Sequence, residues 1–232
     1  MYKKKKILGI IPARISSKRL KQKNIINISS NKNLLHWTYK AIQNSKYLDY
    51  TVLSTESSKI QRVAKNIGFK VPFKRPKYLA EDNIDSEEVI EHVLKKLKTN
   101  YDYVMLLQPT SPLRNSKDID KSIKKIIDQN FNSLISISQS SQRKKFNIKL
   151  INKKFIKYKF DCYKKKKKYL FLNGAIFLVK TKFFYKFQKP FIWQKRNEAT
   201  FILMPETRSI DIDTRQDLLE FKNIIKKNRK NY

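Results

Sequence analysis

The chain has 232 residues, with 53 lysines and arginines against 19 acidic residues, and its formal net charge is +34. Such an imbalance commonly indicates a nucleic-acid or anionic-membrane partner. Here 43 of the basic residues are lysines, accompanied by 28 isoleucines and 18 asparagines, whereas glycine and alanine total only nine. Because lysine, isoleucine and asparagine have A/T-rich codons, most of the charge is interpreted as compositional drift on a solvated surface, as in the lysine run at 164–168.

The length allows one domain with a sizeable core, and a hydrophobic content of 40% favours a globular protein. The single cysteine, Cys162, excludes an intramolecular disulfide and fits a reducing compartment. The apolar stretch near the N-terminus is too short for a signal peptide, and no stretch approaches the roughly 20 residues of a membrane span. We therefore expect one cytoplasmic domain over residues 1–232, without a membrane partner.

Strand-like and helix-like segments alternate along most of the chain. An isoleucine-rich run at 6–13 predicts a buried strand, and residues 34–45 have helical spacing. Further strands are predicted at 51–55, 103–108, 133–138, 174–180, 200–204 and 209–213, and further helices at 57–68, 86–98, 116–130 and 214–227. Ser57 and Gly68 are expected to cap the second helix.

This alternation predicts an α/β fold with a mostly parallel sheet covered by helices on both faces. It fails between residues 139 and 172, where strands and basic turns form an excursion from the core. Ligands of parallel α/β sheets bind at the carboxyl ends of the strands. The polar stretches that leave the predicted strands are PARISSKRLKQKN, STESS, QPTSPLR and the region around Asp211. Thr214 and Asp217 then have the spacing of a capping box.

The loop after the first predicted strand carries Arg14, Lys18 and Lys23, with Ser16 and Ser17 between them. A polyphosphate needs several cations and donors converging from different directions, which a strand-to-loop crossing can deliver. The loop lacks the Gly-Lys-Ser/Thr of a Walker motif and the glycines of a dinucleotide fingerprint. Spacing alone leaves two interpretations open, a phosphate site or a lysine-rich surface loop.

Asp211 and Asp213 alternate within SIDID, so on a strand they would share a face about 6–7 Å apart. Two carboxylates on one face repel each other unless a cation or protons lie between them. Mg²⁺ typically takes one or two carboxylates together with substrate phosphates. The alternatives are that one aspartate caps the final helix or pairs with Arg208 or Arg215.

Gln108, Thr110 and Ser111 follow another predicted strand within LLQPTSPLR, where two prolines stiffen the turn. Their neutral donors and acceptors suit a hydroxyl-rich ligand. The same residues would also serve as an ordinary turn before the next helix, so this pattern on its own identifies no site.

Six segments resemble, in order, motifs of the acylneuraminate cytidylyltransferase (CMP-sialic acid synthetase) family. They are IIPAR, SKR and KNI within 10–25, LLHWTYKAI at 34–42, RPKYLAED at 75–82, LLQPTSPLR at 106–114, LNGAIFL at 172–178 and DIDTRQDL at 211–218. The resemblance spans nearly the whole chain. It implies a three-layer, Rossmann-like nucleotidyltransferase fold, CTP as donor, Mg²⁺ as cofactor and a homodimer.

The resemblance also assigns roles to single residues of this chain. Arg14, Lys18 and Lys23 would contact the triphosphate, and Arg14 and Lys23 would carry the catalysis together with Asp211. The other assignments are Ser17 at the nucleotide, Asn24 at the nucleoside, Arg75 and Ser86 (or its neighbour Asp85) at cytosine or phosphate, Gln108, Thr110, Ser111 and Asn173 at the sugar acid, and Asp211 and Asp213 at the metal.

Two departures from the family pattern bear on these assignments. Ile15 and Ser16 occupy positions that are usually glycine, and a β-branched residue resists positive φ, so the loop must use an ordinary backbone or be distorted. The Arg-Gln pair that usually precedes the NGA turn is replaced by YKKKKKYLFL, in which Lys164 could substitute.

The expected reaction transfers CMP from CTP to a nonulosonic, sialic-type acid and releases pyrophosphate. Legionaminic, pseudaminic and 3-deoxy-octulosonic acids are alternative acceptors. The sequence also permits an inactive member of the family or a basic nucleic-acid-binding protein, although it contains no recognised nucleic-acid motif. In the family, the 139–172 excursion reaches toward a partner subunit, and here Tyr158, Phe160 and Tyr169 would supply apolar contacts.

Overall fold

A computed structural model describes residues 1–29, 31–141, 147–151, 155–158, 169–187 and 199–227. Phe160, Cys162 and the lysine run at 164–168, which includes Lys164, lie outside the described residues. Tyr158 is described by its backbone only. The expectations that rest on these residues therefore stay predictions.

The described strands belong to one sheet with helices on both faces. The strands are β1 (Ile7–Pro12), β2 (Tyr50–Ser54), β3 (Tyr103–Leu106), β4 (Ser133–Ser140), β5 (Asn147–Ile151), β6 (Phe155–Tyr158), β7 (Tyr169–Lys180) and β8 (Ala199–Leu203). The helices are α1 (Leu34–Gln43), α2 (Ser58–Ile67), α3 (Ser86–Leu97), α4 (Ser116–Asp128), α5 (Thr181–Phe187) and α6 (Arg215–Lys227). The strand order is β2-β1-β3-β7-β4-β8, with β5 paired to β6 and β7.

The sheet is mostly parallel, as the sequence predicts: among the six described strands in the order β2-β1-β3-β7-β4-β8, β7 alone runs against the other five. β1 is parallel to β2 and β3, and β4 is parallel to β8, but β7 runs antiparallel to both β3 and β4. Parallel strands need a crossover connection, as α1 provides between β1 and β2, whereas a hairpin reverses the chain. β7 follows the β5–β6 hairpin and pairs antiparallel with β5. The α/β class itself is confirmed.

The predicted strand at 209–213 does not form. These residues are an irregular segment between a short 3₁₀ turn, Glu206–Arg208, and α6. The Ile212 amide donates to the carbonyl of Thr110 at 2.8 Å, which ties the segment to the turn after β3 and not to a neighbouring strand. The turn after β3, and not a strand face, therefore positions Asp211 and Asp213, which lie on either side of Ile212. The sequence also gives no sign of α5, which is short and rich in aromatic residues.

Side chains cap two helices where the sequence predicts caps. The hydroxyl of Ser57 accepts an amide of the first turn of α2 at 3.3 Å, and Gly68 ends that helix with a left-handed φ of 112°. At α6, the Thr214 amide donates to Asp217 Oδ2 at 2.7 Å, and the Asp217 amide donates back to Thr214 Oγ1 at 3.2 Å. This capping box fixes where the segment before α6 ends.

Alternating residues of the central strands pack into different helical layers. Ile7 and Ile11 of β1 belong to a core shared with α1, α2 and α4, whereas Leu8 and Ile10 belong to a core shared with α3 and α5. This is the three-layer arrangement that the sequence predicts, and it leaves the carboxyl ends of β1 and β3 side by side at one edge. Within the described ranges, no helix is long and apolar enough to cross a membrane.

Candidate active site

A cavity of about 330 Å³ opens at the carboxyl ends of β1 and β3. Its walls come from the loop after β1, the segment leading into α3, the turn after β3 and the segment before α6. Among its lining residues are nine of the candidates from the sequence: Arg14, Lys23, Asn24, Arg75, Ser86, Gln108, Thr110, Asp211 and Asp213. Glu81, Asp82 and Asp85 add three carboxylates from the segment before α3.

The other four candidates lie elsewhere. Lys18 lines a more open neighbouring cavity of about 740 Å³, and Ser17 lines neither cavity. Ser111 and Asn173 are 0% and 2% exposed, and the Ser111 hydroxyl donates to the Asn173 carbonyl at 3.4 Å. The assignment of these two residues to the sugar acid stays a prediction, and in this structure their hydrogen bond lies behind the cavity wall.

Asp82 binds two cations of the loop after β1. Arg14 Nη1 lies 2.8 Å from Asp82 Oδ1, and Lys18 Nζ lies 2.7 Å from Asp82 Oδ2. The hydrogen bond and charge of Lys18, joined by those of Arg14, hold the pKa of Asp82 below its usual range. Arg14 also donates to the carbonyl of Ala80 at 3.1 Å. These contacts demonstrate that Arg14 and Lys18 can converge on one anionic group.

Asp213 binds two further cations of the same loop. Lys23 Nζ lies 2.8 Å from Asp213 Oδ1, and Arg19 Nη2 lies 2.6 Å from Asp213 Oδ2. Burial opposes ionisation of Asp213, but the hydrogen bond and charge of Lys23, aided by Arg19, outweigh it and lower the pKa. Arg19 was not among the candidate site residues, and Arg208, one of the partners in the alternative interpretation of the aspartates, binds Asp118 instead.

The pKa of Asp211 is shifted in the opposite direction to that of Asp213, although only one residue separates them. It is reached by solvent through the mouth of the cleft, yet the surrounding protein displaces enough water to raise its pKa to about 6. A hydrogen bond with Thr110 acts in the opposite direction, and the negative charge of Asp213 adds to the increase. Two neighbouring carboxyl groups with pKa values pushed apart are typical of sites where the two take different roles.

The Asp211–Asp213 pair fits a magnesium site by its chemistry. Mg²⁺ prefers oxygen ligands and commonly uses one or two carboxylates plus substrate phosphates. A cation here would offset the desolvation that disfavours the charged form of Asp211. The described part of the chain contains no group of three or more metal-ligating side chains, so the remaining ligands would have to be phosphate oxygens and water.

Gly174 brings the backbone of β7 against the cavity. Its φ is 70°, and a Cβ added there would lie 3.2 Å from Gln108 Oε1 and 3.6 Å from Asp211 Oδ2. Glycine adopts such a φ without steric cost. Sequence reasoning did not single out Gly174, although the signal was available, because the chain contains only three glycines and one lies in the NGA motif.

The loop after β1 has an ordinary backbone at the two positions that are usually glycine in the family. Neither Ile15 nor Ser16 has a positive φ, and Ile15 packs against the core. The Ile15 amide donates to Glu56 Oε1 at 2.7 Å, while Glu56 Oε2 accepts from Arg75 Nη2 at 2.8 Å. Asn24 donates to a backbone carbonyl of the same loop at 3.0 Å. Glu56, which no motif indicates, thus links the loop to the cavity residue Arg75.

A sequence model of the family described as cytidylyltransferase matches residues 8–228, which include every wall of the cavity. The chain belongs to the cytidylyltransferase family. The match confirms the resemblance inferred from the ordered motifs, and it covers the loop after β1, the turn after β3 and both aspartates.

Three relatives show how this cytidylyltransferase compares with named proteins. It is 32% identical to the N-acylneuraminate cytidylyltransferase of Escherichia coli over 91% of this chain, but it spans only 50% of that protein. It is also 32% identical to the pseudaminic acid cytidylyltransferase of Campylobacter jejuni, with 96% of this chain and 97% of the relative covered. The CMP-N,N'-diacetyllegionaminic acid synthase of Legionella pneumophila is 35% identical over 59% of each chain.

Two solved structures share the fold of this cytidylyltransferase. A CMP:2-keto-3-deoxy-manno-octonic acid synthetase complexed with CTP superposes with a TM-score of 0.78 at 15% identity, covering 96% of this chain and 99% of that one. The 4-diphosphocytidyl-2C-methyl-D-erythritol synthase of Anaerococcus prevotii gives a TM-score of 0.64 at 14% identity, covering 96% of each. Both likenesses support the nucleotidyltransferase fold.

Replacing Glu56 by Gln should weaken the fold, because it removes the charge that compensates buried Arg75. The two side chains are only 8% and 3% exposed. We expect the free energy of unfolding to fall by about 3 kcal/mol, the scale seen when one partner of a buried ion pair is removed. Urea denaturation followed by circular dichroism measures the change.

Asp49→Asn provides the matched control for Glu56→Gln. Asp49 accepts the Ile7 amide at 2.8 Å, at the opposite end of β1 and away from the cavity. Its replacement should cost about 1 kcal/mol, as for a typical hydrogen bond. Equal losses in the two variants would contradict a special role for the Glu56–Arg75 pair.

Asp211→Asn should stabilise the protein at neutral pH in the presence of EDTA. Because the folded-state pKa of Asp211 is raised to about 6, the stability tied to its protonated form is present below about pH 4 and is lost as the pH rises through 6. We expect the free energy of unfolding to rise by about 1 kcal/mol at pH 7.5 and hardly at all at pH 4. The value at pH 7.5 is reduced for solvent screening, because Asp211 is exposed on one side of the cleft. Thermal melts at both pH values measure it.

Asp213→Asn should behave in the opposite way. The lowered pKa of Asp213 means that its ionised form stabilises the fold, so this variant should melt below the wild type at pH 7.5. Two variants that shift the melting temperature in the same direction at pH 7.5 would argue against the different environments of the two aspartates.

Proposed function

We propose that this cytidylyltransferase transfers CMP from CTP to a nine-carbon nonulosonic, sialic-type acid and releases pyrophosphate. The observation that carries the proposal is the convergence of Arg14, Lys23, Asp211 and Asp213 on one cavity at the strand ends. The relatives named for N-acylneuraminate, pseudaminic acid and legionaminic acid support a nonulosonic acceptor. Within this class, legionaminic and pseudaminic acids are the alternatives to a sialic acid, and 3-deoxy-octulosonic acid is a more distant one.

The triphosphate would bind by exchange of ion pairs. Arg14 and Lys18 now contact Asp82, and Lys23 contacts Asp213. Phosphate oxygens would take the place of the carboxylate oxygens, so that the cations keep an anionic partner throughout. Charge-assisted contacts of this type are among the stronger hydrogen bonds. Asn24, Arg75 and Ser86 would then contact the nucleoside from the same cavity, and Ser17 would lie at its edge.

The reaction would be an in-line displacement at the α-phosphorus. The anomeric hydroxyl oxygen of the acceptor forms a new bond to that phosphorus, loses its proton to water, and the bond to the bridging oxygen of the β-phosphate breaks. Pyrophosphate leaves with the electron pair, and Arg14 and Lys23 stabilise its charge. Gln108, with Thr110 beside it, would orient the acceptor against the phosphorus.

Asp211 and Asp213 would hold Mg²⁺, which when bound supplies positive charge that lowers the pKa of the attacking hydroxyl and screens the phosphates. When substrate and metal bind, the loop cations would pair with phosphate and the carboxylates with the metal, in place of each other. Lys23 would move from Asp213 to phosphate, and Asp213 would become free to act as a metal ligand.

We also propose a cytoplasmic homodimer that uses residues 139–172, which include β5, β6 and the start of β7. The support is the hairpin, which breaks the strand–helix alternation of the core. Tyr169 lies at the start of β7 within this region. Sedimentation velocity at micromolar concentration would give a dimer, and a monomer would count against the proposal.

The direct test is release of pyrophosphate from CTP with a panel of sialic, legionaminic, pseudaminic and octulosonic acids. Activity that requires Mg²⁺, and that falls by about 10²-fold or more in Asp211→Ala, Asp213→Ala, is expected. No release with any acid would overturn the proposed function. Retention on heparin without any CTP binding would favour the nucleic-acid alternative instead.

Arg14→Ala should lower kcat/KM for CTP by about 30-fold, which corresponds to about 2 kcal/mol of lost transition-state stabilisation. The reason is that a neutral side chain cannot replace the guanidinium on the leaving pyrophosphate. Arg62→Ala, on the exposed side of α2, is the matched control and should change kcat/KM less than twofold. Equal kinetics in the two variants would remove Arg14 from the triphosphate site.

A further inference from the structure

β7 contains a bulge beside the candidate active site. Ile135 of β4 is paired with Phe177, but Ile137 is paired with Leu172, so residues 173–176 of β7 face the single residue Ser136. Bulges of this kind redirect the chain near functional sites. Here the bulge contains Gly174 and turns its backbone toward the cavity.

Side chains satisfy the polar groups that the bulge removes from the ladder. The Ile176 amide donates to Ser136 Oγ at 2.8 Å, and the Ala175 amide donates to Asn173 Oδ1 at 3.2 Å. The Ala175 carbonyl is left for Arg114, whose Nη1 donates to it at 2.9 Å. Buried backbone groups outside a regular ladder need such partners.

Arg114 connects this bulge to the turn after β3. The same Nη1 donates to the carbonyl of Gln108 at 3.1 Å, so one nitrogen joins the backbone of the bulge to the turn that forms one wall of the cavity. A Cβ at Gly174 would lie 3.2 Å from Gln108 Oε1, closer than an ordinary contact, and 3.6 Å from Asp211 Oδ2. The distance between the bulge and these two cavity residues therefore depends on Arg114.

An arginine is energetically unfavourable at the buried position of residue 114. It is only 2% exposed, and its Nε and Nη2 have no hydrogen-bond partner among the described residues. Burial lowers its pKa to about 10, with only the more distant charge of Asp118 acting in the other direction. A buried, incompletely paired cation costs stability, which the hydrogen bonds of one of its nitrogens offset only in part. Stability alone therefore does not explain Arg114.

We propose that Arg114 is a positioning residue that sets the spacing of Gln108, Gly174 and Asp211 on the acceptor side of the cavity. The inference rests on the proposed function for its kinetic consequence, but its structural consequence stands by itself. Without the guanidinium, the bulge and the turn lose their common donor and can separate. Displacements of about 1 Å between reacting groups are enough to lower rates by about 10²-fold.

The kinetic test compares Arg114→Met with the wild type at a temperature well below both melting transitions. We expect kcat per folded molecule with a saturating sugar acid to fall by about 10²-fold and the Kd for CTP to change less than threefold. The melting temperature should fall as well, because two buried carbonyls lose their donor. A residue needed only for folding would lower the melting temperature but leave kcat per folded molecule unchanged. Arg62→Met, on the exposed side of α2, controls for loss of an arginine.

A structural readout separates this inference from the proposed function. The chain has three glycines, so labelling with ¹⁵N-glycine gives a spectrum of three backbone amide signals, from Gly9, Gly68 and Gly174. Arg114→Met should shift or broaden the Gly174 signal and leave the other two in place. This result is expected even if the wild type releases no pyrophosphate from any acid tested, an outcome that would overturn only the proposed function.

Arg114→Lys tests the same proposal if the methionine variant does not fold. Lysine keeps the charge and one donor, but it cannot reproduce the fixed geometry of the guanidinium. Folded Arg114→Lys should lose about 10-fold in kcat and show a smaller shift of Gly174. Wild-type kcat together with an unshifted Gly174 signal, in either folded variant, would overturn the proposal.

Discussion

Attraction between the cationic loop after β1 and carboxylates from distant parts of the chain is the interaction on which the candidate site depends. Asp82 and Asp213 lie on different segments, yet each binds two cations of this one loop. Without them, Arg14, Lys18, Arg19 and Lys23 would repel one another at close range. The carboxylates therefore hold the loop in a shape that an anionic substrate can use.

Buried polar residues behind the cavity also hold its loops in place. Glu56 holds the start of the loop and Arg75 at once, and Arg114 joins the turn after β3 to the bulge in β7. Glu56 is 9% exposed and Arg114 is 2% exposed, and each binds the backbone of a segment that lines the cavity. These contacts limit how far the loop after β1 and the turn after β3 can move independently.

The sequence predicts the fold and the cavity residues well where the pattern is local. Helical periodicity and caps such as Ser57 and Gly68 depend on near neighbours, and the structure confirms them. The direction of β7 could not be read in the same way, because a strand has the same alternation whichever way it runs. The segment 209–213 was misread as a strand because its alternating isoleucines and aspartates imitate one.

The contacts of the site that the sequence does not reveal have a similar physical origin. Ser111 and Asn173 belong to motifs whose other members line the cavity, but spacing does not reveal which side of a turn is buried. Arg19, Glu56 and Arg114 lie within stretches that the sequence analysis identified, but their partners are far away in the chain, so the pattern does not reveal what they bind. For Ile15 the sequence left an ordinary or a distorted backbone open, and the structure has the ordinary one, with the Ile15 amide bound to Glu56 and the side chain packed on the core.

Because several acidic residues line one cavity, we expect substitutions of these acids to affect the protein more than substitutions of surface lysines. Five of its 19 acidic residues line the cavity, at positions 81, 82, 85, 211 and 213, while most of its 53 basic residues lie elsewhere. A lysine on the solvated surface can be exchanged for another long polar residue with little effect. An acid has far fewer substitutes, since the carboxylates at 82 and 213 each neutralise two cations. We therefore expect a surface lysine to be exchanged with less effect on the protein than Asp82 or Asp213.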